Sequence, residues 1–403
     1  MHHRVNRRNF LKGTAALAMP GFTGSSADAA QSGTAKPAKR SLVVDNHAHV
    51  FPDQRGAVGY DDPTTHTRRL QAGVSTIWGR FVSSHTDPKY IPEPGEDVGF
   101  TMDQYNIWRW RKHGEDVWLR RGAESMIDPV HDPEQMLAHM NFVGVDMAVI
   151  QTGYVNAVWG REVYFLDCIR RWPDRFIGAA DIDYDLAKSD KHLGTELETL
   201  ARAVEELGYR VLYSHIPRGQ PVDAPRCDPL WKECSRLKIP VFLNTGFSPK
   251  ADYLREIQRL ESVSRRFPEL KITNNHMGSN VLHPSDPNHV DNPTEFFGLF
   301  KLGNFYLEVG YVLAWENETV WGRDAEYPYP RHKELIRRIY EEFGAGVMVW
   351  GADLPWLLRS CTYKQCFDSV RLHTEFMTDD DRGLVLGGNA ARIYGVSPKA
   401  SEG

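Results

Sequence analysis

The chain has no run of apolar residues approaching the ~18 to 20 that a membrane-spanning helix needs, so no helix of it is expected to cross a bilayer. Charge of one sign is missing too, with 48 Lys and Arg against 53 Asp and Glu and a net charge of −5 over 403 residues. That balance gives no reason to expect nucleic acid or an anionic surface as partner. Cysteine is scarce: Cys168, Cys227, Cys234, Cys361 and Cys366 include no Cys-x-x-Cys pair, which removes the usual zinc-ribbon and dithiol sites. Most are expected to be buried thiols, with a Cys361–Cys366 bridge left open by the spacing. No Gly-x-Gly-x-x-Gly follows the first β-rich segment, so a doubly wound nucleotide-binding sheet lacks its usual support.

The first forty residues read differently from the rest. Asn6-Arg7-Arg8-Asn9-Phe10-Leu11-Lys12 precedes a mildly apolar stretch, Gly13 to Met19, and then Ala27-Asp28-Ala29. A paired arginine, a short apolar region and an Ala-x-Ala site describe an export signal, here of twin-arginine type, with cleavage expected after Ala29. The expected address is periplasmic or secreted, and the expected partners are the twin-arginine export machinery and a small-molecule substrate, with a homo-oligomer allowed. Residues 30–40, rich in Ser, Ala, Lys and Pro, form a linker.

From residue 41 to about 396, short β-rich runs recur with helical patterns between them. The runs are Ser41–Asp45, Asp146–Gln151, Arg175–Asp181, Tyr209–Ser214, Pro240–Leu243, Lys271–Asn275, Asn304–Glu308 and Val347–Trp350. Segments such as Asp190–Leu207, Asp228–Leu237, Lys250–Phe267 and Arg331–Phe343 carry apolar residues at helical spacing. Eight alternations predict an α/β fold of the closed (β/α)8 TIM-barrel kind. The ~100 residues from Val50 to Val145 are far longer than a usual βα loop and predict an insertion after the first strand. Its part from about 52 to 130 is a candidate lid. Within it, Thr101 to Arg121 interleaves aromatic and charged residues in a pattern read as helical, and Trp108 is a candidate substrate contact. Packing of its tryptophans onto the barrel is an equal alternative.

The most informative local feature is His47-Ala48-His49, since alternate side chains of a strand share a face and can aim two imidazoles at one ion. In a barrel, chemistry sits at the C-terminal strand ends. Those ends read His47 and His49, Thr152, Asp181 and Asp183, His215, Asn244, His276, Glu308 and Asp353. First and eighth strands are neighbours in a closed barrel, so Asp353 is expected beside the histidine pair. Two imidazoles and a carboxylate suit zinc, with manganese as an alternative. His276, ending the sixth strand, is placed to shuttle a proton or polarise a carbonyl.

Several stretches then resemble the amidohydrolase superfamily, in the branch of aminocarboxymuconate-semialdehyde decarboxylase, resorcylate decarboxylases and related lactone hydrolases. They are Val44-Asp45-Asn46-His47-Ala48-His49-Val50-Phe51, Asn275-His276-Met277-Gly278, Trp350-Gly351-Ala352-Asp353-Leu354-Pro355-Trp356 and Leu386-Gly387-Gly388-Asn389-Ala390-Ala391-Arg392. Asp228-Pro229-Leu230-Trp231, leading into Leu237 to Gly246, matches as well. The resemblance implies metal binding by His47, His49 and Asp353, and acid/base work by Asp353 and His276. The fifth strand of the family ends in a further histidine ligand; here Asn244 stands there, a poorer zinc ligand expected to contact substrate, while His215 is a candidate replacement ligand. Arg218 is a candidate for binding an anionic substrate group. Hydrolysis of a lactone, amide or ester is the leading expectation, non-oxidative decarboxylation the alternative, and a metal-free binding barrel the second alternative.

Overall fold

The structure, a computed structural model, describes residues 41–77, 82–151, 153, 155–214, 221–243, 250–276, 294–310 and 327–397. Residues 1–40, for which an export signal and a linker are expected, and Thr152, His215, Arg218 and Asn244 lie outside them. The strands among the described residues are β1 (Val44–His49), β2 (Thr101–Met102), β3 (Ile107–Lys112), β4 (Glu115–Arg120), β5 (Met147–Gln151), β6 (Phe176–Ile182), β7 (Val211–Ser214), β8 (Val241–Leu243), β9 (Ile272–Asn274), β10 (Phe305–Gly310) and β11 (Met348–Gly351).

Eight of these form one parallel sheet in the order β1-β5-β6-β7-β8-β9-β10-β11. The two ends of that order meet at the C-terminal rim: Asp353 N donates to His47 O at 2.7 Å and His49 N donates to Leu354 O at 2.7 Å. All eight expected strands are present, shifted by a few residues at most, and the predicted (β/α)8 barrel is the observed fold. Helices fill the connections. The helix Asp190–Glu205 starts where the Ser189 hydroxyl accepts from His192 N, and it buries Leu193, Leu200 and Ala203. Burial of each such large aliphatic side chain stabilises by about 1.5–3 kcal/mol.

Strand periodicity sorts the sheet's residues into two packed sets. Met147 and Val149, Ile177 and Ala179, and Val349 point inward with Val44, Val211, Phe242 and Tyr306, and the floor is closed by Ala390, Ile393 and Tyr394. Their neighbours Ala148, Ile150, Ala180, Leu212 and Leu307 face outward into the layer under the helices. The closing segment approaches β1 so tightly that a Cβ on Gly387 would stand 1.9 Å from Leu42 O, which only glycine avoids.

The insertion differs from expectation in one element. Residues 101–121 form an antiparallel sheet, β2-β3-β4, in place of a helix, with Trp108 opposite Leu119 and Trp110 opposite Val117. The pattern Trp108-Arg109-Trp110-Arg111 has a period of two, and Asn106 and His113 at positive φ bound the strand at turns. Trp108 and Trp110 pack with Val74, Val98, Phe100, Val117 and Leu119 into a small core of the insertion's own. Trp108 packs there edge-on to Phe100, at 5.7 Å between ring centres, as in the packing alternative for these tryptophans. The five cysteines are all buried and unbridged, so Cys361 and Cys366 are not joined.

Candidate metal centre

A β-bulge builds the site. β1 pairs Asp45 with Ala148 and then Ala48 with Ile150, so β1 spends one residue more than β5 over the same distance. Val44 faces the barrel interior; strict alternation would send His47 and His49 outward with Asp45. The extra residue reverses the alternation, leaving Ala48 in the outer layer and both histidines inside. Asp45 holds the bulge: its Oδ1 accepts from His47 N at 2.9 Å and Ala352 N at 3.0 Å, and its Oδ2 accepts from the Tyr363 hydroxyl at 2.8 Å. One buried carboxylate therefore ties β1 to the end of β11. Burial raises its pKa to about 7 against those hydrogen bonds.

Inside, three donor atoms converge. Asp353 Oδ1 lies 3.2 Å from His47 Nε2 and 2.9 Å from His49 Nε2, and the two nitrogens are 3.2 Å apart. A tetrahedral ion with bonds of 2.0–2.1 Å has ligand–ligand edges of about 3.3–3.4 Å, so these atoms fit around a small divalent ion with little adjustment. His276 completes the cluster. Its ring stacks on His47 at 5.1 Å, its Nε2 is 3.6 Å from Asp353 Oδ2, and His47, His276 and Asp353 each offer an atom within 4.8 Å of the others. The closer triad is His47, His49 and Asp353, with His276 against its edge. All four are buried. His276 and Asp353 hold left-handed backbone conformations, φ 55° and 53°, which are costly for side chains with a Cβ and are tolerated where surrounding structure imposes them.

The charges follow from the geometry. Burial opposes charge on His47, but the carboxylates of Asp353 and Glu308 outweigh it and hold its pKa at about 9. Burial lowers that of His49 and that of His276. Burial works to raise that of Asp353, yet His47, His276 and His49 together keep it ionised well below the usual carboxylate range. A divalent ion at these atoms would take the place of the proton that the raised pKa favours on His47.

The sequence reading named His47, His49, His276 and Asp353, and the structure brings these four together. Asn244, His215 and Arg218 fall outside the described residues. Two neighbours carried no assigned role. Glu308 stood among the strand ends, and its carboxylate lies 3.1 Å from His47 Nδ1. Gln151 ends β5 in register with His49, on the inward parity of Met147 and Val149, and neither atom of its buried amide has a hydrogen-bond partner among the described residues. A polar residue closing the apolar run Met147-Ala148-Val149-Ile150 was the signal available for it. A cavity of about 450 Å³ lies where Arg210, Lys238 and Lys271 lead into β7, β8 and β9, at the other end of the barrel, and is lined by none of the candidate ligands.

The amidohydrolase family model, Amidohydro_2, matches residues 44–396. The chain belongs to that family, in its amidohydrolase-related branch, and is an enzyme of the amidohydrolase superfamily. Among solved structures it is similar to an amidohydrolase from Burkholderia multivorans with bound zinc, at 11% identity, TM-score 0.55, and coverage of 89% of this chain and 100% of that one. It is also similar to a probable 2-pyrone-4,6-dicarboxylic acid hydrolase from Acinetobacter baumannii with citric acid bound, at 13% identity, TM-score 0.51, and coverage of 88% and 99%. At these identities the likeness concerns the fold. No curated protein matches the chain.

Proposed function

We propose that the chain is a metal-dependent hydrolase that opens a lactone, amide or ester bond of a small organic substrate. The observation that carries this reading is the convergence of His47 Nε2, His49 Nε2 and Asp353 Oδ1 within 3.2 Å of one another in a buried site of an amidohydrolase barrel. These three residues would hold a divalent ion, zinc before manganese, which supplies Lewis acidity toward a carbonyl and toward the attacking water. The zinc of the Burkholderia relative supports that choice.

Asp353 divides its oxygens between two tasks. Oδ1 faces the two imidazoles, and Oδ2 faces His276. An ionised carboxylate whose second oxygen is clear of the donor cluster can take the proton of the attacking water and return it to the leaving group. His276, kept neutral by burial, can donate from its ring to the oxyanion that develops on the carbonyl. Gln151 offers a donor and an acceptor beside His49, and we assign it to a polar substituent of the substrate, an arrangement in which the orphaned amide gains partners.

Elemental analysis of the purified chain is the first test. About one divalent ion per chain is expected, and none after reconstitution with zinc or manganese overturns the reading. Incubation with lactones, amides, esters and phenolic acids, following acid and carbon dioxide together, is expected to give acid alone; carbon dioxide replaces hydrolysis by decarboxylation. We propose further that residues 1–29 are removed on export, so that mass spectrometry of the exported chain finds Ala30 first; retained residues 1–29 would refute this.

A further inference from the structure

Among the described residues, Glu308 is the one carboxylate in contact with the metal cluster to which neither the fold nor the mechanism has yet given a task. It sits on the inward parity of β10, after Tyr306, fully buried. Both of its oxygens bond to residues that build the centre. Each lies 3.1 Å from His47 Nδ1, Oε2 accepts from Asn46 Nδ2 at 3.1 Å, and Oε1 accepts from His276 N at 3.2 Å. The carboxylate thus joins β1, β10 and the residue at which the chain leaves β9.

The surroundings are fitted to this side chain. A Cβ on Gly351, the inward-facing neighbour on β11, would meet the Glu308 Cγ and Cδ at 2.8 Å, so the carboxylate occupies a seat that glycine leaves open. Asn46 cannot turn its amide the other way without loss, because that would set its Oδ1 against a carboxylate that only accepts; as it stands, Oδ1 accepts from the Tyr394 hydroxyl of the barrel floor. Nδ2 is thereby fixed toward Glu308. The carboxylate can only accept, so His47 Nδ1 must donate, and a neutral His47 is held with its lone pair on Nε2, the atom that faces His49 and Asp353.

We propose that Glu308 is the positioning residue of the metal centre: by accepting from His47 Nδ1 and His276 N, it fixes the tautomer and ring plane of the first and the left-handed backbone of the second. Carboxylates behind ligating histidines raise ligand basicity and preorganise the site, and their loss typically costs 10–100-fold in metal affinity or activity. The inference rests on the reading of His47 as a ligand. It goes further in assigning the order of the site to a residue that would touch neither ion nor substrate.

The test is a zinc titration of the full chain against a competing chelator, for wild type, Glu308→Gln and Glu308→Asp, with histidine-labelled NMR of the zinc-loaded forms. Glu308→Gln is expected to bind zinc about 10–100-fold more weakly, with Glu308→Asp between it and wild type. The strongly deshielded His47 Nδ1–H signal of the wild type should move upfield in the Gln variant. Zinc should also raise the Tm of this variant less than that of wild type, whereas a purely structural carboxylate would lower the metal-free and zinc-bound forms alike. Equal zinc affinity with an unmoved Nδ1–H signal overturns the proposal, as does an equal fall in Tm of both forms. If Glu308→Gln fails to fold, Gly351→Ala is read in its place, since it keeps the carboxylate and displaces it; undiminished zinc affinity there overturns the proposal. A wild type that takes up no ion fails at the earlier step, the ligand role of His47.

Discussion

In the lower half of the barrel interior, Val44, Met147, Val149, Ile177, Ala179 and Val349 pack against one another over a floor of Ala390, Ile393 and Tyr394. A few residues further along the same strands, the interior carries His47, His49, Gln151, Asp181, Glu308 and Asp353, all buried. Backbone geometry is continuous between the two halves, and burial is equally deep. What changes is satisfaction. Each lower side chain is complete once water is excluded, whereas the upper half has His47 and Asp353 favoured in their charged forms against desolvation, strained backbone at His276 and Asp353, and an amide on Gln151 without a partner among the described residues. The lower half stabilises the barrel, and the upper half draws on that stability to hold chemistry in place.

The contrast can be broken from either side. Asp353→Asn is expected to give the largest effect, a loss of turnover of about 10²–10⁴-fold with the far-UV circular dichroism of a folded barrel; retained turnover refutes its role. In the lower half, Ile177→Ala should cost about 2–5 kcal/mol in urea unfolding, through a cavity the closed sheet cannot collapse around. Loss of metal affinity without loss of stability in that variant would show the two halves to be less separate than the packing indicates.

Stability against pH separates the halves further. His47 has its folded pKa raised to about 9, so in the metal-free protein its contribution is complete below about 6.5 and is lost as pH rises through 9, at up to about 1.4 kcal/mol per pH unit. Burial lowers that of His131 to about 3 and that of His332 to about 4, so their contributions are complete above 6.5 and are lost as pH falls toward those values. Asp45, raised to about 7, contributes below 3.8 and loses that contribution as pH rises to 7, opposing one of the two histidines. Urea titrations at stepped pH should therefore show a metal-free maximum near about 6.5. Saturating zinc is expected to remove the alkaline loss, since the ion replaces the His47 proton; an alkaline loss unchanged by zinc would place the titrating group elsewhere. The smallest effect has the opposite sign. Gln151→Met should raise stability by about 1–3 kcal/mol while raising KM for the substrate, and a fall in stability would mean that the amide has a partner.

The eight strands were legible because each is a short apolar run bounded by turn or helix signals. The centre was legible in part: His47, His49, His276 and Asp353 stand at strand ends as types that ligate metal. Thr101 to Arg121 was misread because a two-residue alternation of Trp and Arg also satisfies some helical spacings, and only pairing of β3 with β4 decides between them. Trp108 carried no mark that its contacts would be Phe100 and its own insertion. Glu308 was visible as a strand end, but its task is set by Asn46, His47 and His276, the nearest of them 32 residues away in the chain.

The sequence by itself determined the order of strands and helices, the barrel and the kinds of atom at its C-terminal rim, because periodicity and side-chain chemistry are local properties. Only the tertiary structure decided which way those atoms face. The histidine pair points inward because β1 spends an extra residue against β5, a fact of register between two strands far apart in the chain. Asp353 meets the pair because the last strand closes on the first. Register and closure are relations between segments, and no single segment contains them.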